Sequence, residues 1–266
     1  MSVIKKNIPN FITCLNLACG GMGILSIAYH QEYHAIYLML LALVFDFMDG
    51  LVARLLKVTS SIGRDLDSLA DVVTFGLLPT IMLFDMLHHA WYSQVKTNTI
   101  LVPTYMRTYA FDLFSYPTLA IMLVVFSAVR LARFNNDTEQ GYHFKGLATP
   151  ACGILIASIY YYFLQETIPG GPGFSSYMMP VMRWLLLNPL AIIGIVVALS
   201  FLLVSNIKLI AFKFKGFGWK ANQWKYILLM VSAPLVIFLG FASAPIILIL
   251  YILISQIHFR FNAHEI

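Results

Sequence analysis

Residues 45–76 read FDFMDGLVARLLKVTSSIGRDLDSLADVVTFG, two apolar runs that meet in a short polar turn. Four carboxylates, Asp46, Asp49, Asp67 and Asp71, sit where the runs end and begin. At about 100° per helical residue, Asp46 and Asp49 lie about 60° apart on one face, and Asp67 and Asp71 about 40° apart on another. Two antiparallel helices joined by such a turn bring the four acids together. A carboxylate at membrane depth costs roughly 2.5–3.5 kcal/mol on insertion scales, so the cluster calls for a positive partner.

The rest of the chain says that membrane depth is the right setting. Of 266 residues, 60% are hydrophobic and 11% charged, against roughly 25% charged in an average soluble protein. Mean hydropathy is +0.80. No soluble core could bury that much apolar surface, which excludes a cytosolic enzyme, a disordered chain and a nucleic-acid-binding module. The net charge of +5 sits at the ends of apolar runs and is not a nucleic-acid footprint. The runs are continuous rather than alternating, so the expected fold is all-α and polytopic, not a barrel.

About eight spans are expected, near 10–29, 35–56, 64–86, 115–134, 147–165, 189–207, 225–240 and 244–259; the first six are near the ~20 residues a bilayer requires and the last two are short. With a cytoplasmic N-terminus, all the Lys and Arg except Lys96, Arg107 and Arg183 fall on the cytoplasmic side. That asymmetry predicts both termini cytoplasmic and the acids at the cytoplasmic edge of the inner membrane. Lys5-Lys6 and the run after them read as an uncleaved first span. Residues 1–207 form a six-helix membrane domain, and 208–266 a basic cytoplasmic loop followed by a two-helix hairpin. The loop, KLIAFKFKGFGWKANQWK, suits anionic headgroups. Trp91, Tyr92, Tyr105 and Tyr109 suit an interfacial belt in the outer loop 87–114. Cys14, Cys19 and Cys152 lack metal spacing and read as packing residues, and His30 and His34 as a wet helix cap.

Hard oxygen donors without His or Cys suit Mg²⁺, Mn²⁺ or Ca²⁺ rather than zinc. Four carboxylates can hold two divalent ions, an arrangement suited to phosphoryl displacement. Gly50 and Ala53 leave a bare patch beside Asp49, Arg54 offers a fork donor to phosphate, and Gly63 opens the third helix. Arg64 and Asp65 read as ordinary helix-end charges.

The spacing Asp46-x2-Asp49-Gly50-x2-Ala53-Arg54-x8-Gly63-x3-Asp67-x3-Asp71 resembles the signature of the CDP-alcohol phosphotransferases, without a departure. IPNFITCLNLACGG in the first span, RLARFN at 130–135, FKGLATPA at 144–151 and LLVSNIKLIAFKFK at 202–215 resemble the phosphatidylserine-forming branch, with Ala148 where that branch usually has Pro. The resemblance covers about residues 5–215. It implies that Asp46, Asp49 and Asp67 bind metal, Mg²⁺ or Mn²⁺ and two ions in all. Asp71 is implied to share the metal and act as general base. Gly50, Ala53, Arg54 and Ser60, with Gly63, are implied at CDP-diacylglycerol, and Asn10, Thr13 and Asn16 in the same pocket. It further implies a homodimer.

The implied reaction is CDP-diacylglycerol plus L-serine giving phosphatidylserine and CMP. Serine is a zwitterion, and Arg130, Arg133, Asn135 and Lys145 are the candidates to receive it. A sibling enzyme using glycerol phosphate or inositol phosphate is the alternative, since those cations suit phosphate too. A divalent-cation transporter is the remote one, and predicts acids at mid-membrane depth and broken, repeated helices.

Overall fold

The computed structural model describes residues 3–58, 61–98, 116–136, 143–167, 180–210 and 218–261. They form ten α-helices and one two-stranded ribbon. The helices are α1 (Val3–Ala28), α2 (Glu32–Leu56), α3 (Ser61–Asp71), α4 (Leu78–Asn98), α5 (Ile121–Asn136), α6 (Thr149–Thr167), α7 (Pro180–Leu187), α8 (Pro189–Val204), α9 (Trp219–Leu239) and α10 (Ser243–Phe261). A π turn, Val72–Leu77, joins α3 to α4. Pro79 follows it and has no N–H to return to the helix, and the Thr80 hydroxyl bonds to the Gly76 carbonyl at 2.8 Å.

Local chemistry fixes several ends. Lys57 closes α2 in the left-handed region, φ 52°, its N–H bonded to the Ala53 and Arg54 carbonyls. The Asn188 side chain caps α8 by accepting from Leu190 N–H at 2.9 Å and Ala191 N–H at 3.4 Å, with Pro189 in the first turn.

Among the described residues, five segments are long and apolar enough to cross a membrane: Asn7–Ala28, Glu32–Leu56, Ser61–Trp91, Tyr116–Asn136 and Asn222–Arg260. The chain is an integral membrane protein of all-α architecture. The expected third span is one rod interrupted by the π turn. The two expected C-terminal runs are α9 and α10 of a single apolar stretch turned at Gly240–Ala242. α8 is apolar but shorter. α6 sits at the centre, with Ile156, Tyr160 and Phe163 buried against Ile36 and Met39 of α2 and Phe75, Met82 and Met86 of the third rod.

The segment after Val204 departs from the expected loop. Lys208–Ile210 is a strand, β2, antiparallel to β1 (His143–Lys145), and α9 already begins at Trp219. Three-residue strands carry no readable alternation, and hydropathy cannot see a backbone ladder between distant segments. Gly146, at φ +74°, follows β1 and bonds its N–H to the Ile207 carbonyl at 2.9 Å. A Cβ there would stand 3.0 Å from the Ser205 carbonyl oxygen.

Another close approach seals α1 to the π turn. A Cβ on Gly20 would lie 2.9 Å from Thr74 Cα, and the Thr74 hydroxyl donates to the Asn16 carbonyl at 3.2 Å. At the end of the bundle away from the four acids, Asp85 of α4 accepts the Tyr160 hydroxyl at 2.7 Å. There too Trp91 meets Tyr116 edge-on with ring centroids 4.9 Å apart, and His30 pairs with Glu32 at 3.6 Å. Of the expected aromatic belt, only the side chain of Trp91 lies within the described residues.

Candidate active site

α2 and α3 run antiparallel through the tight end at Lys57, so the helical spacing of the four acids becomes a cluster. One oxygen each from Asp46, Asp49 and Asp67 lies within 4.8 Å of the others. Asp71 stands outside that trio, one turn after Asp67 on α3 and on the side of Asp46. Asp49 is 6% exposed and Asp71 9%. Two charges about 5 Å apart repel by about 3 kcal/mol at an effective dielectric of about 20, so the trio is held together against its own field. Thr13 of α1 offsets part of it by donating its hydroxyl to Asp49 Oδ2 at 2.7 Å. Asp67 Oδ1 and Asp71 Oδ1 are buried without a hydrogen-bond partner. Unsatisfied carboxylate oxygens beside a trio of this spacing fit a hard divalent cation, and the donor set is all oxygen.

A cavity of about 260 Å³ opens beside the trio, walled by Pro9, Asn10 and Thr13 of α1, Asp49, Gly50 and Ala53 of α2, Val58, and Gly63, Arg64 and Asp67 of α3. A Cβ on Gly50 would meet nothing within 4 Å, so the glycine leaves free space next to Asp49. Of the residues expected at CDP-diacylglycerol, Asn10, Thr13, Gly50, Ala53 and Gly63 are on this wall. Arg54 is exposed at the end of α2 and is not on it. Asn16 is fully buried, with neither side-chain polar atom bonded, and is not on the wall either. Ser60 lies outside the described residues.

Arg64 is the cation of the wall, where the sequence reading gave it only a helix-end role. The signal was available: Arg64 precedes Asp67 by three residues and Asp71 by seven, so it shares their helix face.

The four cations and amides expected at serine do not converge. Arg130 is 8% exposed, donates from Nη1 to Thr149 Oγ1 at 3.1 Å and lies 5.1 Å from the Phe134 ring centroid. Its charge interacts with that of Asp71. Arg133, expected on the same side, is exposed and donates to the Val204 carbonyl at 3.2 Å, capping α8. The bundle edge passes between the two guanidiniums, and only one enters. Asn135 donates to Ser68 Oγ at 2.8 Å, tying α5 to α3 beside Asp67. Lys145 is exposed on β1. The sequence reading missed Thr149 as the partner of Arg130, although it lies within FKGLATPA.

Comparison with known proteins gives the same direction. The family described as CDP-alcohol phosphatidyltransferase matches residues 6–187. The CDP-diacylglycerol–serine O-phosphatidyltransferase of Helicobacter pylori strain J99 is 27% identical over 260 residues, covering 95% of this chain and 91% of its own. The protein of that name from Bacillus subtilis is 27% identical over 176 residues, covering 65% of this chain and 85% of its own. An archaetidylserine synthase from Methanothermobacter thermautotrophicus is 29% identical over 155 residues, covering 58% and 57%.

Proposed function

The chain belongs to the CDP-alcohol phosphatidyltransferase family, and from that premise we propose that it transfers the phosphatidyl group of CDP-diacylglycerol to the hydroxyl of L-serine, releasing CMP. The observation that carries this reading is the meeting of three carboxylates within 4.8 Å beside an open cavity. The relatives named for serine transfer, and the extent to which one of them covers this chain, support serine as the acceptor.

The lipid's CDP head occupies the cavity. Gly50 and Ala53 let it approach the α2 backbone, and Arg64 supplies a fork donor to its phosphates. Asp46, Asp49 and Asp67 would hold the divalent cation, Mg²⁺ or Mn²⁺, which when bound neutralises phosphate charge. Thr13 fixes the rotamer of Asp49. The serine carboxylate pairs with Arg130, which brings the hydroxyl to Asp71. Asp71 takes the hydroxyl proton while the serine oxygen attacks the phosphorus joined to diacylglycerol. A P–O bond forms to serine, the P–O bond to the CMP phosphate breaks, and CMP leaves with the electron pair. Burial of Asp71 with one oxygen unbonded leaves a lone pair free for that proton.

We read the bundle as eight spans with both termini and the aspartates on the cytoplasmic side of the inner membrane. The distribution of Lys and Arg supports that orientation. Within it, residues 1–207 carry the chemistry and 208–266 form an appended unit.

The test is CMP release by the purified full-length chain in mixed micelles, with CDP-diacylglycerol and serine, glycerol phosphate or inositol phosphate. Release is expected with serine alone. Release only with a phosphorylated acceptor overturns the serine reading. Saturable divalent-cation flux in vesicles without CMP release overturns the enzyme reading.

A further inference from the structure

The α9–α10 pair lies beyond the residues that match the family, yet α10 is bonded into the acceptor side of the site. Three of its side chains converge on the backbone of one strand. The Tyr251 hydroxyl donates to the Ile210 carbonyl at 2.9 Å. The Ser255 hydroxyl accepts from the Ile210 N–H at 3.2 Å. The Gln256 amide donates to the Lys208 carbonyl at 3.0 Å. Polar side chains within an apolar segment are costly unless they find partners, and a helix serving only as a lipid-facing wall needs none.

The strand they hold leads straight to the chemistry. β2 pairs with β1 in the register His143↔Ile210, Phe144↔Leu209 and Lys145↔Lys208. β1 turns through Gly146 and Leu147, each bonded to the α8–β2 segment, at 2.9 Å to the Ile207 carbonyl and 3.1 Å to the Leu202 carbonyl. Next comes α6, whose first residue, Thr149, accepts Arg130. Arg130 is therefore held by its own helix through Phe134 and by α6 through Thr149, and the turn leading into Thr149 is tied to the strand that α10 holds.

We propose that Tyr251 is a positioning residue: by anchoring β2, and through the β1–β2 ladder the turn that leads into Thr149, it fixes the Arg130 guanidinium in the orientation that receives the acceptor's carboxylate. The proposal rests on the reading of Arg130 as the cation for serine. The C-terminal pair thereby becomes a brace for acceptor binding rather than a membrane anchor alone.

The test is a double-mutant cycle on the full-length chain, Tyr251→Phe and Arg130→Ala, with steady-state kinetics for both substrates. Tyr251→Phe removes one hydroxyl and keeps the ring. It is expected to raise the serine KM about fivefold, the scale of one lost hydrogen bond, with kcat and the CDP-diacylglycerol KM near wild type. On the Arg130→Ala background the same change should alter the serine KM by less than about twofold. An unchanged serine KM in Tyr251→Phe, a fall in kcat alone, or a full effect that persists without Arg130 overturns the proposal. If Arg130→Ala leaves the serine KM intact while Tyr251→Phe raises it, the reading of Arg130 fails and this inference with it. Should the wild-type chain release no CMP with serine, the proposed function fails first.

Discussion

Thr13 and Asp49, 36 residues apart in sequence, meet through a buried hydrogen bond of 2.7 Å from the threonine hydroxyl to Oδ2. The bond fixes the Asp49 carboxylate in the trio with Asp46 and Asp67. Thr13→Val keeps the shape and removes the donor. A hydrogen bond to a charged group contributes about 1.5–3 kcal/mol. We expect kcat/KM to fall at least about tenfold and the Mg²⁺ concentration for half-activity to rise. Titration of activity with Mg²⁺ reads this out, and a half-activity concentration equal to wild type would separate Thr13 from the cation.

Asp71 differs from the other three acids in position, and its variant should differ in behaviour. Asp71→Asn should lower CMP formation at least ~100-fold, the usual scale of general-base loss, while Mn²⁺ binding followed by paramagnetic resonance persists. Asp46→Ala, Asp49→Ala and Asp67→Ala should each lose both turnover and Mn²⁺ binding. In the wild type, chelation should abolish turnover reversibly, with rescue by Mg²⁺ or Mn²⁺ rather than Zn²⁺. Loss of Mn²⁺ binding in Asp71→Asn as well would make that residue a fourth ligand.

Arg64 stands on the cavity wall and Arg54 does not. Arg64→Ala is expected to raise the CDP-diacylglycerol KM about tenfold, on the scale of a lost charge-assisted hydrogen bond, with the serine KM unchanged. Arg54→Ala should have the smaller effect. The reverse order of the two would return phosphate recognition to the end of α2.

Tyr160→Phe removes the hydroxyl that bonds to Asp85 at 2.7 Å and leaves the acid unsatisfied at the far end of the bundle. The expected loss is about 1–3 kcal/mol of stability, seen as a Tm several degrees lower in a detergent melt. The serine and CDP-diacylglycerol KM values should not move, because the Tyr160–Asp85 pair stands away from Asp46, Asp49, Asp67 and Asp71. Pairing the change with Asp85→Asn should recover part of the Tm, since a neutral amide costs less to bury than a carboxylate.

The parts of this molecule legible in its sequence are those set by local repetition. The apolar runs appear at nearly their observed positions, and the spacing of Asp46, Asp49, Asp67 and Asp71 becomes a cluster because helix geometry converts spacing into direction. Arg64 was legible by the same rule and was passed over because a charge at a helix start has an ordinary explanation. The π turn was hidden: hydropathy does not register a change of hydrogen-bond period. The ribbon β1–β2 was hidden because His143–Lys145 and Lys208–Ile210 are joined only by backbone bonds. Arg130 and Arg133 looked equivalent as two cations three residues apart. Their separation into one buried beside Asp71 and one exposed at Val204 depends on where neighbouring helices end, which no local pattern records.

The close seam at Gly20 bears on how a two-tailed lipid reaches carboxylates inside a bundle. At Gly20 a Cβ would lie 2.9 Å from Thr74 Cα, so α1 and the π turn meet there backbone against backbone and leave no passage at that level. On the reaction proposed above, the lipid's head enters on the other flank, where Gly50 faces open space beside Asp49 and Pro9, Asn10 and Thr13 of α1 form the opposite wall. In that arrangement the fatty tails stay in the bilayer and only the head is presented. If the cavity beside Asp49 is the head's way in, the same opening serves CMP on its way out, and the nucleotide clears it before the next lipid docks.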